Sequence, residues 1–516
     1  GETPALPPVG TSVRRWSAAL ADEAQRPERV AELDLWRSTL QAPDPVLGAR
    51  RIDPAVDVVS TVDRLQVRLS EDVTRALLTA LPAAFRCGPD DGLVAGLALA
   101  VAAWRRARGT AESSVLLNME GHGREEAVIE GADLSRTVGW FTTIFPVRVS
   151  VGGVDLKEAF AGGAGAGRAV KAVKEQLRTI PDRGIGYGLL RYLNTGTAEE
   201  LAEFPTPQIG FNYLGRFSDT DVPGEARGEG WTPISALEEV SAEFDADMPV
   251  AHAVDVNAVV IDSEQGPVLN ASIGFASGVL SRERVQELAD LWVEALTGLA
   301  RHASSTDAGG LTPSDLPLVP LTQLEIDVLE ARHPDVVDVW PLTAMQSGLL
   351  FHAILAGRDL DPYQMQFVLH LDGAVDAERL RAAGQGLLDR YPNLRVAFGF
   401  GTDGEPMQIV RSRVELPWEE IDLRDVPEDE RPERLEELLA ADRSDHFDVT
   451  TAPLMRMKLI RVGESRFEFV LMAHHLLFDG WSLPLLMQDL MGLYGAGGDG
   501  SVLPRPRDYR DFLVWL

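Results

Sequence analysis

Phe467-Glu468-Phe469-Val470-Leu471-Met472-Ala473-His474-His475-Leu476-Leu477-Phe478-Asp479-Gly480 runs from an apolar strand into a loop carrying two imidazoles, a carboxylate and a glycine. Neighbouring strand residues point to opposite faces, so only one of His474 and His475 can face a given cleft. Gly480 permits a backbone turn closed to other residues, and Asp479 offers a carboxylate to hold that loop by pairing with an arginine. An imidazole on such a loop can deprotonate or orient an amine near neutral pH. The same pair is also compatible with a structural role or with metal binding. No third His, Asp or Cys ligand stands at a recognisable spacing.

Working outward, strands and helices mix around this loop, as in an α+β two-layer sandwich. A unit beginning near Val336 reads as a helix (Thr343–Leu355), a strand (Tyr363–Leu371) and a helix (Ala377–Arg390). A hairpin around Thr402-Asp403-Gly404, a helix (Asp429–Ala441), the strands Leu454–Arg461 and Arg466–Ala473, and a helix from Leu483 to Tyr494 follow. His352 and His446 read as polar core or rim residues. Before the unit, Ala303–Gly310 is small and polar, and Leu311-Thr312-Pro313-Ser314-Asp315-Leu316-Pro317-Leu318 reads as an extended linker. Within that connector, Gln323–Arg332 could form one short helix.

The first part of the chain begins with a Pro-rich Gly1–Gly10, then helical stripes at Val13, Trp16 and Leu20 and at Val30, Leu33, Trp36 and Leu40. Asp63–Leu69 alternates as a half-buried strand, with Ser70 at the cap position of the next helix. Leu93–Trp104 reads as a helix buried on most sides, and Ser281–His302 as an amphipathic helix. Strands are expected at Ser114–Asn118, Phe145–Val151, Gln208–Gly215, Val254–Val260 and Val268–Phe275, the last two joined by Asp262–Pro267. Glu120 stands at a strand end in a Gly-flanked turn with His122 and Arg124. A carboxylate there could act on a carbon-bound proton if burial raised its pKa, or could simply be held in ion pairs. Asn212, beside Tyr213, could hydrogen-bond a carbonyl or serve structure alone. Pro8–Leu20 is echoed by Pro504–Leu516 at a constant offset in numbering, which suggests two copies of one ancestral domain, joined middle to middle.

At 516 residues the length suggests about three or four compact units. Apolar content of 45% with 25% charged residues is globular. A net charge of −31, from 48 Lys and Arg against 79 Asp and Glu, argues against nucleic acid and anionic membrane as partners. Cys87 is the single cysteine, which excludes an intrachain disulfide and a cysteine-cluster metal site. No apolar stretch approaches the roughly 20 residues of a spanning helix, and the opening lacks the pattern of a signal peptide. A cytoplasmic location is expected.

His474–Gly480 with Trp481-Ser482 resembles the HHxxxDG signature of the condensation domains of nonribosomal peptide synthetases. Pro341–His352, Arg390-Tyr391-Pro392-Asn393-Leu394-Arg395, and Phe447-Asp448 with Ala452–Arg456 resemble three further motifs of that family in the same order. The form of Met345–His352 is similar to the subtype that joins a D-configured donor to an L-configured acceptor. Glu120–Glu125, Val138–Thr142 and Phe211–Gly215 resemble motifs of the C-terminal half of an epimerization domain.

The resemblance implies chloramphenicol-acetyltransferase-like lobes: residues 1–302 an epimerization C-terminal lobe, 303–335 an interdomain linker, and 336–516 a condensation N-terminal lobe. It further implies His475 as the condensation base or amine-positioning residue, with His474 and Gly480 supporting it and Asp479 pairing with Arg395. Glu120 becomes the epimerization acid/base, supported by Asn212, Tyr213, His122 and Arg124. No metal or directly bound cofactor is expected. The substrate arm is phosphopantetheine on a carrier protein, and carrier domains and neighbouring synthetase domains are the expected partners. Each lobe pair is incomplete here, so the bare chain is expected to perform neither reaction well. Two other readings stay open: the lobes pair into one circularly permuted domain, or the chain is a non-catalytic docking module or an engineered junction.

Overall fold

Broad, though not strict, alternation of apolar and polar residues in the first half of the chain builds a sheet with one oily and one mainly polar face. The computed structural model describes residues 8–217, 245–263, 265–356 and 361–516. Residues 1–7 of the Pro-rich opening and Glu264 of the strand-joining turn lie outside these. Two compact units divide the chain, Gly1–Gly310 and Leu311–Leu516, rather than the three or four suggested by length. Length overcounts because the first unit closes about 300 residues around one core.

In the first unit, β1 (Val62–Arg68), β2 (Ser114–Gly121), β3 (Thr143–Ser150), β4 (Ile209–Phe217), β5 (Val254–Ser263) and β6 (Gly266–Ala276) form one mixed sheet. Its order is β1-β6-β5-β4-β2-β3, with β5, β4 and β2 mutually parallel and the outer pairings antiparallel. Leu65, Ile273, Val256, Phe211, Met119 and Phe145 stand on one face and join the core formed with the helices Pro89–Arg106, Ala164–Arg178 and Arg282–Ala303. The Pro89–Arg106 helix is buried on nearly every side, as its Leu, Val and Ala content implies, and ends on Arg105 and Arg106, cations that suit a helix C-terminus. The opposite face carries Gln66, Ser272, Asn257, Asp255, Asn212, Asn118 and Glu120. Ser70 occupies the cap position of the Glu71–Leu78 helix but makes no side-chain capping bond.

The second unit has a three-stranded sheet, β7 (Val336–Pro341), β10 (Pro406–Arg411) and β9 (Val396–Phe400), and a four-stranded one. The latter runs β11 (Trp418–Asp422), β12 (Met455–Arg461), β13 (Arg466–His474), β8 (Gln364–Asp372). One face of β13, with Phe469, Leu471 and Ala473, packs with the helices Ala377–Arg390 and Ser482–Gly495. The other face, with Val470 and Ile460 of β12, is covered by Leu439 and its neighbours on the Arg431–Ser444 helix. The two-layer expectation therefore holds for the first unit and fails here. Both faces of β13 are apolar, and both must be shielded from water.

The connector also differs from its reading as an extended linker. Leu311, Leu316, Leu321, Ile326 and Leu329 are buried against Val336, Val339, Met407 and Ile409 of the second unit. Thr322 and Glu325 form a reciprocal capping box that starts the Gln323–Arg332 helix. The sequence echo has a structural counterpart. Ser12 and Asp508 cap the helices Val13–Glu23 and Tyr509–Trp515 at equivalent positions. Trp16 is buried with Leu134, Phe141 and Ile185, whereas Phe512 is 44% exposed.

Candidate functional site

Each unit holds one constellation at the end of a strand. In the second unit, β13 delivers His474 fully buried. Its Nδ1 accepts the Leu476 N–H at 3.0 Å, so the ring proton sits on Nε2 and is donated to Asp361 Oδ2 at 2.9 Å. Burial lowers the His474 pKa, opposed by the hydrogen bond to Asp361. His475 follows on the next backbone step with the opposite arrangement. Its Nδ1 lies 2.9 Å from the Phe478 carbonyl, which can only accept, so the proton is on Nδ1 and Nε2 keeps its lone pair. Its backbone N–H donates to the Tyr363 carbonyl at 2.9 Å. One histidine is a strut; the other presents a free basic nitrogen.

Asp479 does not pair with Arg395. Its Oδ1 accepts from Ser482 N at 2.9 Å and from Ser482 Oγ at 2.7 Å, bonds that hold its pKa below the usual carboxylate range. This fixes the turn, with Gly480 inside it, to the start of the Ser482–Gly495 helix. Arg395 is buried and donates to the carbonyls of Asp389 at 2.7 Å, Arg411 at 3.0 Å and Leu388. The last turn of the Ala377–Arg390 helix leaves carbonyls without intrahelical donors, and the guanidinium satisfies them instead of reaching the loop. That burial lowers the Arg395 pKa.

In the first unit, Glu120 projects from the polar face of β2. Asn212 Nδ2 donates to Glu120 Oε2 at 2.9 Å. Glu120 is solvent-exposed, but its neighbours on the sheet strip away part of its hydration and raise its pKa; Asp255 adds to the rise, and His252 opposes it. Tyr213, one residue past Asn212, packs toward the helical core, so it does not join this face. Arg124 turns away from Glu120. Its guanidinium binds the carbonyls of Leu134 (2.6 Å) and Thr137 (3.0 Å) and lies over the Phe141 ring at 4.2 Å. His122 Nδ1 accepts the Arg124 N–H at 3.0 Å, and its Nε2 lies 3.0 Å from Arg183 Nη1. A neutral imidazole offers one lone pair, so these two bonds compete. The structure thus brings Glu120 and Asn212 together, while Arg124 and Tyr213 serve the scaffold.

Three neighbours were not singled out from sequence: Asp361, His252 and Asn118. Asp361 is separated from His474 by 113 residues, and no local pattern links them. The His252-Ala253-Val254-Asp255 spacing was the one available hint of the second group. Among the described residues, no helix is long and apolar enough to cross a membrane.

Comparison with known families decides what carries these sites. The condensation domain family matches residues 1–316 and 336–516, nearly the whole chain. The chain belongs to the condensation domain family of nonribosomal peptide synthetases. A linear gramicidin synthase of Brevibacillus parabrevis is 36% identical over 524 aligned residues, spanning 100% of this chain and 6% of that protein. Chondramide synthase cmdD of Chondromyces crocatus is 33% identical, covering 100% of this chain and 14% of its own. Bacitracin synthase 1 of Bacillus licheniformis is 29% identical, with coverage of 98% and 9%. The chain is therefore a small fraction of the length of each relative. Among solved structures, the epimerization domain from the third module of tyrocidine synthetase B aligns with a TM-score of 0.47 and 27% identity, covering 58% of this chain and 61% of that one. The sheets of the two units are those of a condensation-domain fold.

Proposed function

We propose that residues 1–302 are the C-terminal lobe of an epimerization domain and residues 336–516 the N-terminal lobe of a D-donor condensation domain, within a larger peptide synthetase. The observation that carries this reading is the division of chemistry: a carboxylate with a raised pKa in one unit, and a histidine with a free Nε2 in the other.

The two centres suit different steps. At Glu120, the carboxylate takes the α-proton of a thioester-bound residue, and the electron pair left behind becomes the enolate of the thioester. A second acid on the wall across from Glu120 gives its proton to the opposite face of that carbon, which completes inversion and leaves Glu120 holding the proton it took. Asn212 holds Oε2, which leaves Oε1 for the transferred proton. A pKa raised by partial loss of hydration makes the carboxylate a stronger base than one in water. At His475, the Nε2 lone pair accepts a hydrogen bond, or the proton itself, from an attacking aminoacyl amine. The Phe478 carbonyl holds the ring in the one tautomer that allows this. The new amide forms as the donor thioester's C–S bond breaks and the thiol departs. Both substrates would arrive on the phosphopantetheine arm of a carrier protein. The half-exposed polar floor of Asn118, Asn212 and Asn257 suits the amide and thioester groups of such an arm.

In the complete synthetase, His475→Ala should cut peptide bond formation by about 100-fold or more while leaving amino-acid loading unchanged. Glu120→Gln should stop wash-in of solvent deuterium at the α-carbon of the bound residue. Unchanged product with H475A, or unchanged deuterium uptake with E120Q, would refute the corresponding assignment.

A further inference from the structure

The polar face of the first unit's sheet carries two parallel rows, one register step apart. In the first row, Glu120 on β2 bonds Asn212 on β4, and Asn257 of β5 stands opposite Asn212. In the second row, Asn118, Gly210 and Asp255 stand side by side on the same three strands. The imidazole of His252 spans this second row. Its Nε2 lies 3.0 Å from Asn118 Nδ2 and its Nδ1 lies 3.4 Å from Asp255 Oδ1. The ring has its place because β4 has no side chain there. A Cβ on Gly210 would fall 2.5 Å from His252 Nδ1 and 2.2 Å from Asp255 Oδ1. The imidazole side chain is only 10% exposed.

We infer that His252 is a positioning residue for the Glu120 site, seated over Gly210 so that Asn118 and Asp255 hold its ring beside the reacting carboxylate. This rests on the reading of Glu120 as the epimerization acid/base. Asn118 Nδ2 approaches Nε2 and Asp255 Oδ1 approaches Nδ1, so both ring nitrogens are engaged and the ring cannot swing away. The groups acting on Glu120 from the elements around it are few. Asp255 on β5 disfavours its ionised form and His252 favours it; Asn212 on β4 and Ile144 on β3 carry no titrating proton. His122, two residues on, is held by Arg124 and Arg183. Asp255 and His252 thus pull the carboxylate in opposite directions, the Asp255 effect being the larger.

The test is the titration of the Glu120 carboxyl in the 516-residue chain, followed by carbon-13 NMR of labelled glutamate and assigned with E120Q. The expected midpoint rises in H252Q and in G210A, which evicts the ring, and falls in D255N, each by about half a pH unit or more. Where circular dichroism shows G210A unfolded, the opposed pair H252Q and D255N decides. Midpoints that stay fixed, or that move in the same direction in that pair, overturn the role of His252. Deuterium uptake that survives in E120Q overturns instead the reading on which this inference rests. Loss of uptake in E120Q with fixed midpoints overturns the role of His252 alone.

Discussion

Removing the Asp361 carboxylate should loosen the histidine loop through His474, a strut that does no chemistry itself. The two oxygens of Asp361 have separate duties: Oδ2 accepts from His474 Nε2 at 2.9 Å, and Oδ1 accepts from Tyr363 N at 2.9 Å. The His474 side chain is 0% exposed and that of Asp361 is 10% exposed, so water cannot readily replace the first bond. Asp361→Ala leaves the His474 N–H buried without an acceptor, at a cost of about 1–3 kcal/mol. Tyr363 is only half-buried, so its freed N–H can find water at little further cost. Asp361→Asn should cost less, because one amide oxygen can still serve His474 while the amide NH2 faces the Tyr363 N–H. For a unit of this size, a loss of about 2 kcal/mol lowers the unfolding midpoint by roughly 4–8 °C. The assay is thermal unfolding of the second unit in wild type, D361N and D361A, followed by fluorescence of Trp340, Trp418 and Trp481. The expected order of stability is wild type, then Asn, then Ala. Equal midpoints for D361A and wild type would show that His474 is not held by this carboxylate, and the strut assignment would fail.

Two further outcomes follow from other parts of the fold. Glu325 is pulled down to about 2 by hydrogen bonds from Thr402 and Thr322, and Asp422 to about 2 by Arg424. A carboxyl whose folded pKa lies below its unfolded value stabilises the fold above the unfolded pKa and loses that contribution as the pH falls to the folded one. The second unit should therefore weaken between about pH 4.5 and about pH 2, and E325Q with D422N should flatten that dependence; urea midpoints across this range check it, and an unaltered slope would count against these bonds. Gly123→Ala should destabilise the first unit by about 1–3 kcal/mol or more, since φ is +65° and a Cβ would fall 1.6 Å from the Phe141 carbonyl oxygen; a melting curve matching wild type would contradict the loop geometry.

Much of this fold was legible where one physical rule dominates. The run Phe467–Ala473 is too apolar to be anything but buried, and alternation at its exit separates His474 from His475. The same rule placed Glu120 at the end of β2, whereas Asn212, also read at a strand end, stands inside β4. What stayed hidden depended on partners distant in sequence. Asp361 meets His474 only once β8 and β13 are paired. Arg395 had two kinds of acceptor within reach, and nothing local says that helix-end carbonyls would outcompete a carboxylate. The apolar stripe of Arg431–Ser444 (Leu435, Leu438, Leu439) is diluted by charge, so the cover over the second face of β13 went unread. Pro313, Pro317 and Pro320 suggested an extended connector, although prolines forbid a helix without forbidding burial.

That buried connector changes where a clean cut can be made in the gene. A boundary drawn by composition, just before Val336, would leave the amino-terminal rim of the second unit without Leu311, Leu316, Leu321, Ile326 and Leu329. Val339 and Ile409, now dry, would become a wet and adhesive edge. Severing after Gly310 instead keeps those aliphatic groups with the body they seal. Recombined synthetases spliced there should inherit a second unit that stays monodisperse, while those spliced a couple of dozen residues later would carry an aggregation-prone seam.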